Sequence, residues 1–355
     1  MKNILSMLLA LAATSLAAEP VLIATDLSNY YPGYVVLPDD TVIYRDADGH
    51  LHSMNPAEPS SDTIIKTDWN PADHGWEYCG QEGLLRASPD GSMLLYTINL
   101  RVPDSLQTSE DYVPGPAGVF ITRPDGSGTR LVALSMEVGS GPDFQFTRSG
   151  DRFYGSPLLQ CPATPQGMLD HWLREEEKTE FQGYLVDPTD GSRSGGSAGF
   201  LGDGFTANPW SDLAACGSWP PNLIADASTG ETLLELPYSE DMPWGIIEQW
   251  VLPNAGLSRD GKGQLIRWAD GRTVHNPGAE ITAGGRLADG RYLLTSGYRE
   301  PLLVAWVDWE TFEVTVTDSY PGIGALMDPM NEAVELPSGG AILFRSSGGL
   351  YFAEL

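Results

Sequence analysis

A short turn motif that recurs along the chain is the feature that most constrains its fold. In each copy, an apolar run leads into a polar turn and then into a second apolar run. The copies are VVLPDDT (35–41), RASPDGS (86–92), FTRSGDR (146–152), WVLPNAG (250–256), GRLADGR (285–291) and VELPSGG (334–340). They lie roughly 50 residues apart, except for one gap of about 105 residues. Such a spacing is typical of proteins built from repeated structural units.

The stretch 83–135 shows what one unit contains. Its β-forming runs at 84–87, 93–99, 119–122 and 129–134 are separated by two Pro-Asp-Gly turns and one polar loop. This pattern predicts a four-stranded antiparallel meander, whose strands we call a to d in chain order. Four-stranded units repeated at this period are the signature of an all-β protein, the β-propeller.

The number of units follows from the long gap between the third and fourth motifs. The segment NLIADASTGETLLEL (222–236) matches the strand–turn–strand pattern, so we expect a degenerate unit between Ser197 and Pro237. The last unit supplies only three strands, and VLIATD (21–26) resembles the missing fourth. We therefore predict a seven-bladed β-propeller, with six blades as the alternative count, in which the N-terminal strand completes the C-terminal blade. A β-sandwich is the alternative fold, but it does not explain the periodic motif.

The N-terminal segment is predicted to direct export. Residues 1–18 begin with a lysine, continue through an apolar run and end in small residues, which is typical of a secretory signal peptide. We expect a periplasmic or secreted protein in which residues 19–355 form a single β-propeller domain. No later stretch has the roughly 18 consecutive apolar residues that a membrane-spanning helix needs.

The charge of the chain restricts its partners. Asp and Glu number 48 against 20 Lys and Arg, for a net charge of −28. A protein this acidic repels phosphate groups, which argues against nucleic acid and anionic membrane surfaces as partners. We expect a monomer without a cofactor.

Two segments, SPDGSMLLYT (88–97) and FITRPDGSGTRLV (120–132), carry a resemblance to a known family. They are similar to the TolB-type (WD40-like, PD40) propeller repeat. The resemblance implies a propeller fold. It implies little about activity, because such repeats serve binding proteins, peptidase side domains and polysaccharide lyases alike.

Long loops are predicted on one face of the propeller. In a meander, the b–c and d–a connections fall on one face and the a–b and c–d turns on the other. The longest loops, near 65–83, 101–116 and 158–181, are all b–c or d–a connections. In the last of them, Leu169, Trp172 and Leu173 lie at helical spacing, which predicts a short amphipathic helix.

Aromatic and arginine side chains on this face are the candidate ligand-binding residues. Tyr31, His74 and Trp76 lie in d–a loops, where they either contact a ligand or pack the loops onto the sheets. Arginines end strand b of five units, at Arg45, Arg101, Arg259, Arg299 and Arg345. Arginine binds carboxylates in two-point geometry, which predicts an anionic ligand such as an acidic glycan. The alternative is that these arginines pair with neighbouring Asp and Glu residues.

Catalytic signatures are weak. His50 and His52 alternate on a strand and so face one way, as a metal-binding pair does, but the sequence identifies no third ligand, so no metal site is predicted. The run Gly195–Gly199 has the form G-x-S-x-G but lacks the strand and helix that a nucleophile elbow requires. The catalytic residues, if any, stay unassigned.

The chain has three cysteines, Cys79, Cys161 and Cys216. Cys161 and Cys216 are each predicted at the end of strand b in adjacent blades, which favours a disulfide between them and leaves Cys79 free. The sequence as a whole predicts a binding or scaffolding module for a protein or an anionic ligand. The alternative is a carbohydrate-active enzyme, a lyase or a hydrolase, on the same scaffold.

Overall fold

The computed structural model describes most of the chain after the N-terminal segment. The described residues are 19–28, 33–80, 83–107, 115–135, 143–159, 161–173, 182–194, 205–208, 211–216, 222–226, 231–236, 247–252, 255–258, 264–267, 272–275, 282–295, 301–308, 311, 313–326, 333–346 and 349–355. The predicted signal peptide (1–18) lies outside them.

The described strands form six antiparallel sheets, five of four strands and one of nine. The first four-stranded sheet contains β2 (Tyr34–Val36), β3 (Val42–Arg45), β4 (Leu51–Asn55) and β5 (Glu58–Ile64). The nine-stranded sheet contains β6 (Glu77–Gly80), β7 (Leu85–Ala87), β8 (Leu94–Arg101), β9 (Ala117–Thr122), β10 (Arg130–Ser135), β11 (Asp143–Phe146), β12 (Phe153–Leu158), β13 (Gln182–Val186) and β14 (Arg193–Ser194).

The other four sheets follow in chain order. The next contains β15 (Phe205–Ala207), β16 (Leu213–Cys216), β17 (Asn222–Asp226) and β18 (Glu231–Leu236). After it come β19 (Ile247–Leu252), β20 (Ala255–Ser258), β21 (Gln264–Arg267) and β22 (Arg272–His275). A further sheet contains β23 (Thr282–Arg286), β24 (Tyr292–Thr295), β25 (Leu302–Asp308) and β26 (Glu313–Tyr320). The last contains β27 (Ala333–Glu335), β28 (Ala341–Ser346), β29 (Gly349–Glu354) and β1 (Val21–Ala24).

Helices are few and short in the described residues. They are the 3₁₀ helices η1 (Pro71–His74) and η2 (Asp104–Leu106) and the α-helices α1 (Pro165–Leu173) and α2 (Pro321–Gly324). None of these is long and apolar enough to cross a membrane. The architecture is an all-β propeller, as predicted.

The recurring sequence motif corresponds to the a–b turn of a unit. Five copies are described, at 37–41, 88–93, 147–152, 287–291 and 336–341. In each, the first residue donates its N–H to the carbonyl of the last residue, and its own carbonyl accepts a hydrogen bond from the N–H three residues later. In the second copy the Gly91 N–H donates to the Ser88 carbonyl at 2.8 Å, and Gly91 has φ of 71°. Glycine adopts this left-handed conformation without a steric penalty, which explains why it recurs there.

The number of sheets differs from the predicted number of blades. The segment between Ser197 and Pro237 does contain a four-stranded sheet, β15–β18, but the hydrogen bonds delineate six sheets where seven were predicted. The difference lies in the second and third predicted units, whose strands are joined by one residue pair between β10 and β12, Ser135 with Leu158. Because of that pair, the strands of the two predicted blades form one nine-stranded sheet.

The N-terminal strand lies in the C-terminal sheet. Strand β1 pairs antiparallel with β29, with Val21 opposite Phe352 and Leu22 opposite Tyr351. The last sheet also contacts the first, since the Tyr34 hydroxyl donates to the Leu343 carbonyl at 3.3 Å. Buried apolar residues of both sheets, among them Val42 and Leu350, pack in one cluster.

Candidate functional site

The described parts of the predicted long loops build up one side of the first three units. We call this side the long-loop face and define it by the described residues 65–80, 83–84, 102–107, 115–116, 159 and 161–173. Its described elements are η1, β6, η2 and α1. Strand β6 pairs with the end of β8, Glu77 opposite Arg101, so it extends the sheet beyond the part of β8 that pairs with β7.

The predicted amphipathic helix is present as α1, after β12. Met168 and Leu169 are buried in an apolar cluster that also holds Trp76 and Leu100, and Trp172 packs against it. The prediction of a short amphipathic helix is confirmed. Its apolar face covers the loop before β6, so this part of the long-loop face is a packed layer.

The two predicted aromatic ligand contacts that the structure describes have different environments. Trp76 is fully packed in the cluster under α1, and its indole Nε1 has no hydrogen-bond partner. His74 is exposed and stacks on Trp69 with ring centroids 5.0 Å apart, and Trp69 in turn meets the edge of Phe120. Trp76 therefore packs a loop onto the sheet, which was the alternative interpretation. Tyr31 lies outside the described residues.

Arg45 is an internal link between two sheets. It is 1% exposed. Its Nη1 donates to the Thr97 carbonyl on β8 at 2.7 Å, and its Nε donates to the Gly49 carbonyl at 3.2 Å. Burial lowers the pKa of its guanidinium, while the neighbouring Asp46 acts in the opposite direction. A guanidinium committed to backbone carbonyls is not available to an anionic ligand.

Of the other four predicted arginines, two are described, and they have different environments. Arg345 is buried on β28. Arg101 is exposed, and it makes ion pairs with Asp104 and, at 3.8 Å, with Glu77. Arg259 and Arg299 lie outside the described residues. Of the three described arginines, Arg45 and Arg345 are buried, and Arg101 is paired with acidic side chains, as the alternative interpretation stated for all five.

A compact group of polar side chains lies at the turn between β3 and β4. We call it the histidine–aspartate cluster, and its members are Tyr44, Asp46, Asp48, His50, His52 and Asp62. The Asp46 Oδ2 atom lies 3.2 Å from His50 Nδ1 and 3.1 Å from His52 Nε2. The other ring nitrogen of His52 lies 3.2 Å from Asp62 Oδ1. Because this turn is a b–c connection, the cluster lies on the same side of its sheet as the long-loop face.

Tyr44 completes the cluster from the strand beside His52. The two residues are paired in register, their rings stack with centroids 4.7 Å apart, and the Tyr44 hydroxyl donates to Asp62 Oδ2 at 2.9 Å. Burial and the hydrogen bond to Asp62 raise the pKa of Tyr44, so this phenol stays protonated. Burial alone would raise the pKa of Asp46, but its hydrogen bonds with His52 and His50 outweigh burial and lower that pKa.

Sequence reasoning found only part of this cluster. It singled out His50 and His52 and missed the other four members, Tyr44, Asp46, Asp48 and Asp62. The spacing Asp46-x-Asp48-x-His50-x-His52 was the available signal for a group that could gather around one point. Asp62 gave no such signal, because it is brought to His52 by the pairing of β5 with β4.

The predicted disulfide is not formed, since both Cys79 and Cys161 are free thiols. Cys161 packs against the apolar cluster under α1. The side chain of Cys216 lies outside the described part of the structure. Cys161 also lines a cleft of about 480 Å³ with Val132, Asp190 and Arg193. Burial raises the pKa of Cys161 to about 11, so the thiol is protonated at neutral pH and is a poor nucleophile.

Comparison with solved structures identifies the fold. The WD40 repeats of RRP9 align with a TM-score of 0.56 at 11% identity, over 95% of this chain and 100% of that chain. A chain of the mitotic checkpoint complex aligns with a TM-score of 0.55 at 12% identity, over 96% of each chain. The fold is that of the WD40 propellers. At these identities the likeness concerns the fold alone.

Other comparisons add no closer relationship. Oligogalacturonate lyase in complex with manganese aligns with a TM-score of only 0.41 at 13% identity, over 93% of this chain and 77% of that chain. No protein-family model matches the chain. No curated protein matches it either. The activity has to be argued from the residues of the chain itself.

Proposed function

We propose that this chain is an exported binding or scaffolding module that engages a protein partner through its long-loop face. The observation that carries the proposal is a pair of exposed apolar side chains beside ion-paired charges. Tyr78 is 47% exposed and Leu106 is 42% exposed. Tyr78 follows Glu77 directly and Leu106 lies two residues after Asp104, and these two acidic residues are the partners of Arg101. Exposed apolar side chains that are bordered by charged residues are typical of protein-binding surfaces.

The acidic-glycan ligand has less support. It was predicted from five arginines, of which Arg45 and Arg345 are buried and Arg101 is paired with acidic side chains. What is left of that prediction rests on Arg259 and Arg299. We therefore place a protein partner first and keep the anionic glycan as an outcome of the test.

The enzyme alternative also has less support. An enzyme on this face needs a base and a charge-stabilising group directed at one point in a pocket. The described cleft beside Cys161 offers a protonated thiol, and its Arg193 is already hydrogen-bonded to the Leu159 carbonyl at 2.5 Å. These groups favour packing over catalysis.

We further propose that the nine-stranded sheet contains two blades, which makes seven in all. Its strands β7–β10 and β11–β14 are two successive meanders that share only one residue pair. Apolar residues of the first meander (Leu95, Val119) pack in one cluster with residues of the second (Phe144, Phe153). Face-to-face packing of this kind is typical of neighbouring blades, because strands of one flat sheet do not pack on each other.

Ring closure and export belong to the same proposal. Strand β1 would close the propeller as the outer strand of the last blade, since its sheet packs against the first sheet. A single propeller would then span residues 19–355. The predicted signal peptide would direct the protein to the periplasm or out of the cell.

Site-specific photo-crosslinking tests the binding face. A crosslinking amino acid is placed at position 78 or 106, and as a matched control at Trp306, an exposed aromatic on β25 near the opposite side. We expect the same exported protein to be captured at positions 78 and 106 but not at 306. Equal capture at all three positions, or none at 78 and 106, would overturn the proposal.

Two further assays separate the alternatives. Acidic oligosaccharides are incubated with the protein, and the absorbance of new unsaturated ends is followed. Turnover would show that the protein is a lyase and not only a binding module. Alternatively, the oligosaccharides could bind without turnover, and this binding could be lost when Arg259 and Arg299 are changed to Ala. That result would show that the ligand is an acidic glycan and not a protein.

A further inference from the structure

We propose that the histidine–aspartate cluster binds one Zn²⁺ ion, with Asp46, His50 and His52 as its protein ligands. No part of the proposed binding function requires this site. The sequence alone offered two histidines and no third ligand. The fold supplies that third ligand, because the β3–β4 turn places the Asp46 carboxylate between the two imidazole rings.

The distances from the Asp46 carboxylate to the two imidazole rings fit a zinc ion. Zinc binds nitrogen and oxygen at about 2.0–2.2 Å in tetrahedral geometry, which puts neighbouring ligand atoms about 3.3 Å apart. Asp46 Oδ2 lies 3.2 Å from His50 Nδ1 and 3.1 Å from His52 Nε2. Ligand atoms of Asp46, Asp48 and His50 also lie within 4.8 Å of one another, so Asp48 is placed to contribute the fourth position or its charge.

The groups behind His52 provide the support that metal-binding histidines have. A histidine ligand normally directs its second ring nitrogen to a carboxylate, which fixes the tautomer and the ring orientation. Here His52 Nδ1 lies 3.2 Å from Asp62 Oδ1, and Asp62 is itself held by the Tyr44 hydroxyl at 2.9 Å. With the Nδ1 proton directed to Asp62, His52 would bind the ion through Nε2, in place of the Nε2 hydrogen bond to Asp46.

The ligand types select zinc over the common hard cations. Two imidazoles and a carboxylate suit zinc, whereas Ca²⁺ and Mg²⁺ prefer sites made of oxygen ligands. The site is also reachable from solvent, since the His50 side chain is 52% exposed while that of His52 is 13% exposed. The strongly acidic chain favours the approach of a cation.

The position of the cluster indicates a structural role for the ion. The β3–β4 turn contacts the segment that follows β1, through an isolated bridge between Leu27 and Asp46. The Ser28 N–H also donates to the Arg45 carbonyl at 2.9 Å. An ion held by this turn would therefore stiffen the contact between the first sheet and the N-terminal segment.

Zinc titration of the full-length mature protein, with excess Mg²⁺ to occupy carboxylate-only sites, tests the proposal. We expect one Zn²⁺ per chain, a rise in Tm on binding, and a visible spectrum typical of tetrahedral Co²⁺ after cobalt substitution. His50→Gln and His52→Gln remove ligands, so each should weaken zinc binding by at least the upper value seen for supporting residues, about 100-fold. Asp62→Asn should weaken it by about 10-fold. His74→Gln, at an exposed histidine outside the cluster, is the matched control.

Three results would overturn the site. They are the absence of stoichiometric zinc binding to the wild type, unchanged binding in His50→Gln and His52→Gln, or an equal loss in His74→Gln. His50 is exposed, so His50→Gln should fold normally, and circular dichroism checks this. The binding result for that variant is then informative even if His52→Gln is unstable.

Discussion

Arg45 ends strand β3 and Arg101 ends strand β8, so both follow the second strand of a four-stranded unit. Arg45 is 1% exposed and bonds to backbone carbonyls of its own sheet and the next one. The Arg101 side chain is 44% exposed and bonds to acidic side chains. Two arginines at equivalent positions of the repeat thus have different roles. Arg45 links two sheets internally, and Arg101 forms ion pairs at the surface.

Strand length explains the difference. Strand β3 has four residues, so Arg45 lies at the level of the neighbouring sheet, where the Thr97 carbonyl accepts its hydrogen bond. Strand β8 has eight residues, and its end pairs with β6. Arg101, at the end of this longer strand, therefore lies beyond the buried part of the sheet and is exposed to solvent. Position in a repeat therefore does not determine the environment of a side chain when the units differ in length.

The largest expected effect comes from Arg45→Ala. The change leaves the Thr97 and Gly49 carbonyls without this donor and opens a cavity between two sheets. We expect the free energy of unfolding to fall by about 3–5 kcal/mol, measured by urea denaturation. Arg45→Lys keeps the charge but not the two-point geometry and should lie in between. A loss for Arg45→Ala no larger than that for Arg101→Ala would break the comparison.

Gly83→Ala should disturb the same link from the other side. An added Cβ at position 83 would clash with Thr97 and lie 2.9 Å from Arg45 Nη1. Because the Thr97 backbone carbonyl cannot move freely, we expect a loss of about 2 kcal/mol in the free energy of unfolding. In a double-mutant cycle with Arg45→Ala the two losses should be less than additive. Additive losses would show that Gly83 acts independently of Arg45.

Asp46, next to Arg45, should give a smaller effect that depends on pH. Its folded-state pKa is lowered, so its contribution to stability is present above the ordinary carboxyl pKa of about 3.9 and is lost as the pH falls through the folded-state value.

The test compares wild type and Asp46→Asn by denaturation at about pH 6 and about pH 3. We expect the wild type to be more stable by about 1 kcal/mol or less at the higher pH, with the difference shrinking at the lower pH. A constant difference at both pH values would contradict the role given to this carboxylate.

Arg101→Ala should have the smallest effect. Exposed ion pairs contribute little, and salt screens them further. We expect no resolved change in the denaturation midpoint at moderate salt. A marked loss of stability would mean that Arg101 also has an internal role, and the contrast with Arg45 would then disappear.

The turns and the helix were predictable from sequence because their signals are local. Gly91 and the Pro-Asp that precedes it define a turn within a few residues, and the structure closes it with a backbone hydrogen bond. Leu169 and Trp172 lie on one face of α1 because of helical spacing, and both pack inward. Such features depend on neighbours in the chain, which the sequence displays directly.

The environments of the candidate ligand-binding residues were not predictable in the same way. Trp76 was predicted as a ligand contact or as packing, and only the position of α1 decided for packing. Asp62 lies ten residues from His52 and meets it through strand pairing. The predicted Cys161–Cys216 disulfide was wrong, because Cys161 is a free thiol that packs against the cluster under α1.

By itself, the sequence determined an all-β propeller with its turns in the right places, because turn chemistry and strand patterns act over a few residues. The tertiary structure decided how many sheets the hydrogen bonds delineate, which arginine is buried, and which carboxylates meet His52. These outcomes depend on strand length, on register and on the depth at which one sheet packs against the next. Each of them joins residues that are distant in the chain.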